Sequence, residues 1–179
     1  MSIFYPTLLK PAITAVTAEE LRRLGARGLL LDVDNTLTTH GSQEVAQEVV
    51  AWLRRMEGEG FLPTVVSNAC EKRVAPFAAR IGLQFIAFAC KPLPFGFLRA
   101  AKRLGLKRRE CVVIGDQTFT DILGARLCGM PCIQLLPIQL EENKPLMLFK
   151  RRLEKGIRKR YRRRHPLPPA EEKPTGGDG

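Results

Sequence analysis

The sequence has few residues that could bind zinc and no stretch that could cross a membrane. Only two of its 179 residues are histidine, His40 and His165, and its five cysteines lack paired spacing. A zinc site needs several such ligands at short spacings, so we expect none. No apolar run approaches the roughly 20 residues of a membrane span, and the N-terminus has no secretory signal pattern. We therefore expect a cytoplasmic protein in a reducing compartment, with its cysteines as small buried thiols.

The composition is otherwise that of one ordinary globular domain, but its charge is uneven. Hydrophobic residues make up 45% of the chain and charged residues 26%, and the net charge is +11. Residues 150–165 alone hold ten Lys or Arg and one Glu. A chain of this length fits a single domain with a sizeable core plus a tail. The basic character therefore belongs mainly to one short C-terminal segment.

The pattern of the chain predicts three parts. Residues 1–145 form the main domain, and residues 1–16 form an irregular arm because Pro6 and Pro11 interrupt it. Residues 146–165 form a basic amphipathic helix, since Phe149, Leu153, Ile157 and Tyr161 recur every four residues. Residues 166–179, rich in Pro, Glu and Gly, are expected to be disordered.

Strands and helices alternate along the main domain. The predicted strands are 27–33, 63–67, 84–89, 111–115 and 131–136. The predicted helices are 17–24, 42–56, 71–81, 95–104 and 119–128. This alternation is typical of an α/β protein with a central parallel sheet, here of about five strands, between two layers of helices.

Polar motifs follow four of the predicted strands at their carboxyl ends. They are Asp32-Val33-Asp34-Asn35-Thr36, Ser67-Asn68, Lys91-Pro92, and Gly115 to Asp121. In an open parallel sheet, ligands bind at the carboxyl ends of the strands. Four carboxylates, a hydroxyl and an ammonium group at this edge suit a magnesium-assisted reaction at phosphate.

The chemistry of phosphate monoesters explains why these residue types are needed. Asp32 can attack phosphorus and form an aspartyl-phosphate, and Asp34 can protonate the leaving oxygen and later activate water. Magnesium prefers oxygen ligands, which Asp32 and Asp116 supply, and Asp121 can hold a metal-bound water. Ser67 and nearby amides can bind phosphate oxygens. Lys91 can neutralise charge on the phosphate and on the nucleophile.

These motifs, in this order, resemble the haloacid dehalogenase (HAD) superfamily of aspartate-nucleophile phosphatases, most closely its compact IIIA branch, the YqeG family. The resemblance extends from about Tyr5 to Leu136. It implies a HAD-like, Rossmann-type three-layer fold and a phosphatase that uses Mg2+. It also implies catalytic roles for Asp32, Asp34 and Lys91, phosphate binding by Ser67, Asn68 and Lys91, and a metal site of Asp32, Asp34, Asp116 and Asp121. The stretch Thr38-Thr39-His40 departs from the apolar-Pro-aromatic pattern of relatives and faces the substrate.

The spacing between the motifs leaves no room for an inserted cap domain. Asp34 and Ser67 are separated by 32 residues, and Ser67 and Lys91 by 23, which a helix and a strand fill in each case. By resemblance, a capless site accepts a phosphate carried on a large molecule, or a partner subunit acts as the lid. Some relatives dephosphorylate phosphatidylglycerophosphate, a step of phospholipid biosynthesis.

The basic segment bears on the substrate. Its pattern is typical of a helix on an anionic membrane surface, where each basic residue contributes about 1 kcal/mol. We therefore expect a phosphatase peripheral to the inner face of the membrane that acts on phosphatidylglycerophosphate. Three alternatives stay open: a soluble nucleotide or sugar phosphate phosphatase, an RNA- or ribosome-associated factor that binds through phosphate contacts, and a tail that is merely solvated. The sequence leaves the oligomeric state undetermined.

Overall fold

The computed structural model describes residues 2–139 and 145–165, with side chains in the second range from residue 152 onward. The chain divides into two compact units, Met1–Glu141 and Glu142–Gly179. The first unit contains every motif described above. The predicted disordered segment 166–179 lies outside the described residues.

The first unit is built on a parallel sheet of six strands. In chain order the strands are β1 (Leu8–Lys10), β2 (Gly28–Leu31), β3 (Leu62–Val66), β4 (Gln84–Ile86), β5 (Cys111–Gly115) and β6 (Cys132–Leu135). Their order across the sheet is β1-β6-β5-β2-β3-β4, and every neighbouring pair is parallel. β2 and β5, which lead into Asp32 and Asp116, are therefore central neighbours. The α/β class and the HAD-like sheet are confirmed.

Helices cover both faces of this sheet. They are α1 (Ala18–Arg23), α2 (Gln47–Gly58), α3 (Glu71–Ile81), α4 (Phe95–Arg103) and α5 (Leu123–Leu127), with short 3-10 turns at Ile13–Ala15 and Arg108–Glu110 and a π-helical turn at Thr118–Ile122. Successive side chains of β2 belong to two hydrophobic cores, one on each face of the sheet. Leu29 and Leu31 pack in the core that contains Trp52 of α2, and Leu30 packs in the core that contains Phe97 of α4. This alternation follows from the two-residue period of a strand and gives the three layers.

The sixth strand comes from the N-terminal arm, which the sequence predicts to be irregular. β1 pairs with β6 in the register Leu8 to Ile133, and the Thr7 amide donates to the Cys132 carbonyl at 2.8 Å. Pro6 and Pro11 lie just outside the three paired residues. Neither proline therefore removes a hydrogen bond from the ladder, and both are compatible with an edge strand.

Two predicted elements are shorter in the structure. The helix predicted from residue 42 begins at Gln47, because Ser42 belongs to a loop in which its side-chain oxygen accepts from the Glu44 amide. The strand predicted over 84–89 ends at Ile86. Phe88 has a φ of +47°, which is incompatible with an extended strand.

The cysteines are all free thiols, and their burial differs. Cys111, Cys128 and Cys132 are buried, whereas Cys70 and Cys90 are exposed. Burial, and after it the charge of Glu110, raises the pKa of Cys111 to about 11. The buried thiols are thus protonated packing groups, as expected, but the two exposed thiols do not fit that expectation.

No domain is inserted between the motifs within residues 2–139. A single helix joins β2 to β3, and another joins β3 to β4. In the described part of the second unit, the chain forms one helix, α6 (Pro145–Arg164), of 20 residues. Among the residues that the structure describes, no helix is both long and apolar enough to cross a membrane.

Candidate active site

Lys91 joins two motifs that are far apart in sequence. Its Nζ donates to Oδ1 of Asp32 and to Oδ1 of Asp121, both at 2.6 Å. All three side chains are buried, with at most about a tenth of any of them exposed. Asp32 follows β2, Asp121 follows β5, and Lys91 follows β4, so the carboxyl ends of these strands place them together. The predicted convergence at this edge of the sheet is what the structure shows.

Three carboxylates at this point could hold a metal ion. Asp32, Asp116 and Asp121 each offer an oxygen, and these oxygens lie within 4.8 Å of one another. All three residues are buried. Carboxylate oxygens are the ligands that Mg2+ prefers. Three carboxylates beside one ammonium group also leave an excess of negative charge, which a divalent cation would balance. The donor set therefore fits Mg2+.

Burial and charge perturb the ionisable groups of this cluster. Burial, with a further contribution from the charge of Asp121, raises the pKa of Asp32 to about 6, although Lys91 opposes the shift. Burial disfavours the charge of Lys91, but Asp121 and Asp32 together outweigh it and raise the pKa of Lys91 above its ordinary value. Lys91 is thus a permanent cation, and Asp32 is a buried carboxylate that an added positive charge would stabilise.

The side chain of Asp34 lies outside this group of carboxylates. Its Oδ1 accepts from the Gly41 amide at 2.9 Å and from Nη2 of Arg73 at 3.1 Å, and Nδ1 of His40 is 3.9 Å away. Asp34 was predicted as both acid/base and metal ligand, and its side chain is not among the three carboxylates that gather beside Lys91. Asn35 beside it adopts a left-handed φ of +61°, which turns the chain after β2.

Arg73 is a site residue that the motif analysis missed. It lies on α3, where its guanidinium also donates to the Ser42 carbonyl at 2.7 Å. The bridge from α3 to the loop 34–42 is a tertiary contact, and neither segment shows it in sequence. The only signal available was an arginine near the start of the helix after Ser67-Asn68.

The side chains of the two predicted phosphate binders, Ser67 and Asn68, make different hydrogen bonds. The Asn68 amide spans the Lys91 backbone: Oδ1 accepts from the Lys91 N–H at 2.6 Å, and Nδ2 donates to the Lys91 carbonyl at 3.0 Å. Asn68 thus holds the segment that delivers the lysine. The buried hydroxyl of Ser67 accepts from the Ala69 amide at 3.2 Å, which leaves its proton able to bind a phosphate oxygen.

Asp121 is held closely against the end of β5. Its Oδ2 accepts from the Gln117 amide at 3.2 Å, within the turn that follows Asp116. A Cβ atom at Gly115 would lie 2.4 Å from Cγ of Asp121. Gly115 is therefore required for the close approach of this carboxylate to the strand, since any side chain would displace it.

Substituting Gly115 by Ala should lower phosphatase activity by about 100-fold, because a shift of about 1 Å at a reacting group has that effect. Overpacking of a buried position should also lower the free energy of unfolding by about 1–3 kcal/mol. Gly58→Ala is the matched control: it adds the same methyl group to the last turn of α2, where no atom lies within 4 Å. Equal activity of the two variants, measured with a soluble phosphomonoester, would contradict the assigned position of Asp121.

Comparison with known proteins finds a matching family model and similar proteins. A HAD-hydrolase-like family model matches residues 88–136, which contain Lys91, Asp116 and Asp121. The protein named probable phosphatase YqeG from Bacillus subtilis is 34% identical over 154 residues, which cover 86% of this chain and 89% of the relative.

A second relative is more distant and longer. Phosphatidylglycerophosphate phosphatase 1, chloroplastic/mitochondrial, from Arabidopsis thaliana is 26% identical over 155 residues, which cover 82% of this chain but only 44% of the relative. Among solved structures, an uncharacterized protein from Listeria monocytogenes serotype 4b superposes with a TM-score of 0.55 at 18% identity, over 65% of this chain and 84% of the other. That likeness concerns the fold alone.

Proposed function

The chain is a phosphatase that belongs to the haloacid dehalogenase superfamily, in the family of the Bacillus subtilis YqeG protein, and from that premise we propose that it hydrolyses phosphatidylglycerophosphate with Mg2+ at a membrane surface. The observation that carries the phosphatase chemistry is the buried group of Asp32, Lys91, Asp116 and Asp121. The observation that favours a lipid is the similarity to a plant phosphatidylglycerophosphate phosphatase.

Asp32 is the proposed nucleophile. Its carboxylate attacks phosphorus, the bond to the leaving oxygen breaks, and an aspartyl-phosphate forms. Water then attacks phosphorus, which restores Asp32 and releases inorganic phosphate. Lys91, 2.6 Å from Asp32, holds the carboxylate in place and neutralises charge on the phosphoryl oxygens.

Proton transfer is assigned to Asp34, which lies two residues beyond the nucleophile. It protonates the leaving alkoxide in the first step and takes the proton of the attacking water in the second. Arg73 and the Gly41 amide orient its carboxylate through Oδ1. The hydroxyl of Ser67 binds a phosphate oxygen, and Asn68 positions Lys91 through its backbone.

The metal ion would be held by Asp32, Asp116 and Asp121. When bound, Mg2+ would supply positive charge that stabilises the phosphoryl oxygens and the buried carboxylates. Lys91 contributes one positive charge beside these three carboxylates.

Two features support a substrate phosphate that is carried on a lipid. The main domain has no inserted cap within residues 2–139, so the carboxyl edge of the sheet can approach a large surface. The helix α6 (Pro145–Arg164) lies in the segment with ten basic residues, a charge that suits anionic lipid headgroups. We propose that this segment keeps the enzyme peripheral to the membrane.

The decisive measurement is phosphate release from phosphatidylglycerophosphate in mixed micelles, compared with a panel of soluble nucleotide and sugar phosphates. We expect turnover of the lipid that requires Mg2+ and is lost in Asp32→Asn. Turnover confined to the soluble esters would overturn the lipid substrate and favour a soluble phosphatase. If the folded protein hydrolyses none of these substrates but binds RNA in a salt-sensitive manner, the RNA-associated alternative would be favoured instead.

A further inference from the structure

An apolar surface borders the candidate active site on the loop and helix that follow β4. Four large apolar side chains there are exposed, and we call them the loop surface: Phe88, Leu93, Phe95 and Leu98, with exposed fractions of 60%, 50%, 63% and 42%. Lys91 lies between the first two of them in sequence, and its ammonium group contacts the carboxylates. The loop surface therefore belongs to the segment that delivers the active-site lysine.

Phe88 is fixed in its exposed position by backbone contacts. Its φ of +47° is left-handed, as is that of Cys90 at +56°, and a bulky residue rarely adopts this conformation. The Phe88 amide donates to the Ala69 carbonyl at 3.0 Å, and the Arg99 guanidinium donates to the carbonyls of Ala87 and Phe88 at 3.3 Å. Unfavourable backbone conformations that neighbouring contacts hold in place are concentrated at functional loops.

The segment that carries the loop surface is rich in basic residues and poor in acidic ones. Residues 72–109 contain no Asp or Glu and ten Lys or Arg, whereas residues 1–71 contain nine acidic and six basic residues. The helix α4 exposes Arg99, Lys102 and Arg103 on the same element as Phe95 and Leu98. Its exposed side thus begins with apolar residues near the active-site edge and continues with basic ones.

This combination matches the surface of an anionic lipid bilayer. Apolar side chains can enter the boundary between headgroups and acyl chains, while neighbouring Lys and Arg contact lipid phosphates. A protein partner would present local charges of both signs, whereas the exposed basic residues of α4 beside the exposed Phe95 and Leu98 favour an extended surface of negative charge.

We propose that the loop surface inserts into an anionic phospholipid bilayer and so brings the carboxylate cluster to the level of the lipid phosphates. This inference builds on the proposed lipid-phosphatase function and assigns a membrane contact to the phosphatase unit itself, in addition to the basic helix. Insertion of Phe88 and Phe95 would orient the open edge of the sheet toward the membrane, so that a phosphate on a lipid headgroup can reach Asp32.

Insertion can be measured directly by fluorescence, because the chain has a single tryptophan and it is buried. Phe95→Trp adds a reporter to the loop surface of the full-length protein, with Trp52 as a constant background. Leu62→Trp is the matched control, since Leu62 is 42% exposed at the first residue of β3, the end of that strand opposite Ser67. The probe is a vesicle of phosphatidylcholine and phosphatidylglycerol with brominated acyl chains.

Phe95→Trp adds the fluorescence of a second tryptophan to that of Trp52. We expect the vesicles to lower this added fluorescence about twofold, because an inserted ring lies about 5–10 Å into the boundary between headgroups and acyl chains. The emission of Leu62→Trp and of the natural chain should stay unchanged. Equal quenching of both tryptophan variants, or of neither, would overturn insertion of the loop surface. A concentration-dependent dimer that shields Phe95→Trp from a water-soluble quencher would overturn it too, by assigning the surface to a second copy of the chain.

A second measurement connects the surface to catalysis. In the variant Phe88→Asn with Phe95→Ser, asparagine tolerates the left-handed backbone and both apolar side chains are removed. The ratio of vesicle-borne phosphatidylglycerophosphate turnover to p-nitrophenyl phosphate turnover should fall at least about tenfold. The control, Leu62→Ser, removes an exposed leucine at the first residue of β3, the end of that strand opposite Ser67, and should keep the natural ratio.

The two measurements distinguish the proposed membrane contact of the loop surface from the proposed lipid substrate. Quenching of Phe95→Trp without any lipid turnover would overturn phosphatidylglycerophosphate as substrate and support the membrane contact. Lipid turnover with an unchanged ratio in the polar variant would overturn the loop surface as the orienting contact while the proposed function stands.

Discussion

Replacing Asp32 with Asn is expected to lower the rate of phosphomonoester hydrolysis by at least about three orders of magnitude. The amide has nearly the shape of the carboxylate but cannot attack phosphorus, so the loss reports the chemistry rather than the packing. Lys91 keeps its bond of 2.6 Å to Asp121 in the variant, and the segment that carries the lysine should stay in place. The measurement is kcat for a soluble ester with saturating Mg2+.

The same variant should be more stable than the natural protein when metal is removed with a chelator. The folded state raises the pKa of Asp32 from its ordinary value of about 4 to about 6, so its ionisation opposes folding. Below about pH 4 the carboxyl is protonated in both states, and the two proteins should unfold with similar free energies. As the pH rises past about 6, the natural protein loses stability relative to the variant, by on the order of 2 kcal/mol.

Mg2+ should reverse this order, because the natural protein offers three carboxylates to the ion and the variant only two. Thermal melts at neutral pH, with and without Mg2+, give the comparison. A variant that is less stable than the natural protein at every pH in the chelator would show that Lys91 makes the charge of Asp32 favourable for folding. The same melts would then remove the main electrostatic reason for a metal ion at this position.

The sequence predicted those parts of the candidate site in which a chemically active residue directly follows a strand. Lys91 lies 59 positions after Asp32 and 30 positions before Asp121, yet its ammonium group is within hydrogen-bonding distance of both. Parallel strands bring their carboxyl ends to one edge, so a polar motif after each apolar run was enough to predict the meeting. No other feature of the local sequence, and no exact spacing between the motifs, was needed to predict that these side chains meet.

Contacts between side chains and distant backbone were not predictable in the same way. Arg73 reaches Asp34 across 39 residues from a helix, and a single arginine on a helix has many possible partners. The strand β1 is only three residues long, and its pairing depends on the exposed edge of β6 rather than on its own pattern. The exposure of Phe88 depends on a left-handed backbone, which a sequence of Ala-Phe-Ala-Cys does not suggest.

Replacing Lys91 with Met should both inactivate and destabilise the protein. Methionine keeps most of the length of the side chain but removes the positive charge that contacts Asp32 and Asp121. Removal of one partner from a buried charge pair typically costs about 3–5 kcal/mol, because the remaining charges lose their compensation. Activity should fall by about 100- to 1,000-fold through the loss of charge stabilisation at the phosphoryl group.

Lys10→Met is the matched control for this prediction. Lys10 is also buried, and its Nζ lies 2.7 Å from Oε1 of Glu20, on β1 and α1 respectively. The control should lose stability while its kcat at a temperature well below its melting point stays close to the natural value. The loss of stability in Lys91→Met should shrink when Mg2+ is added, since a divalent cation can replace the missing charge, but its activity should stay low. Recovery of activity by Mg2+ alone would mean that Lys91 only balances the charge of the carboxylates and takes no part at the phosphoryl group.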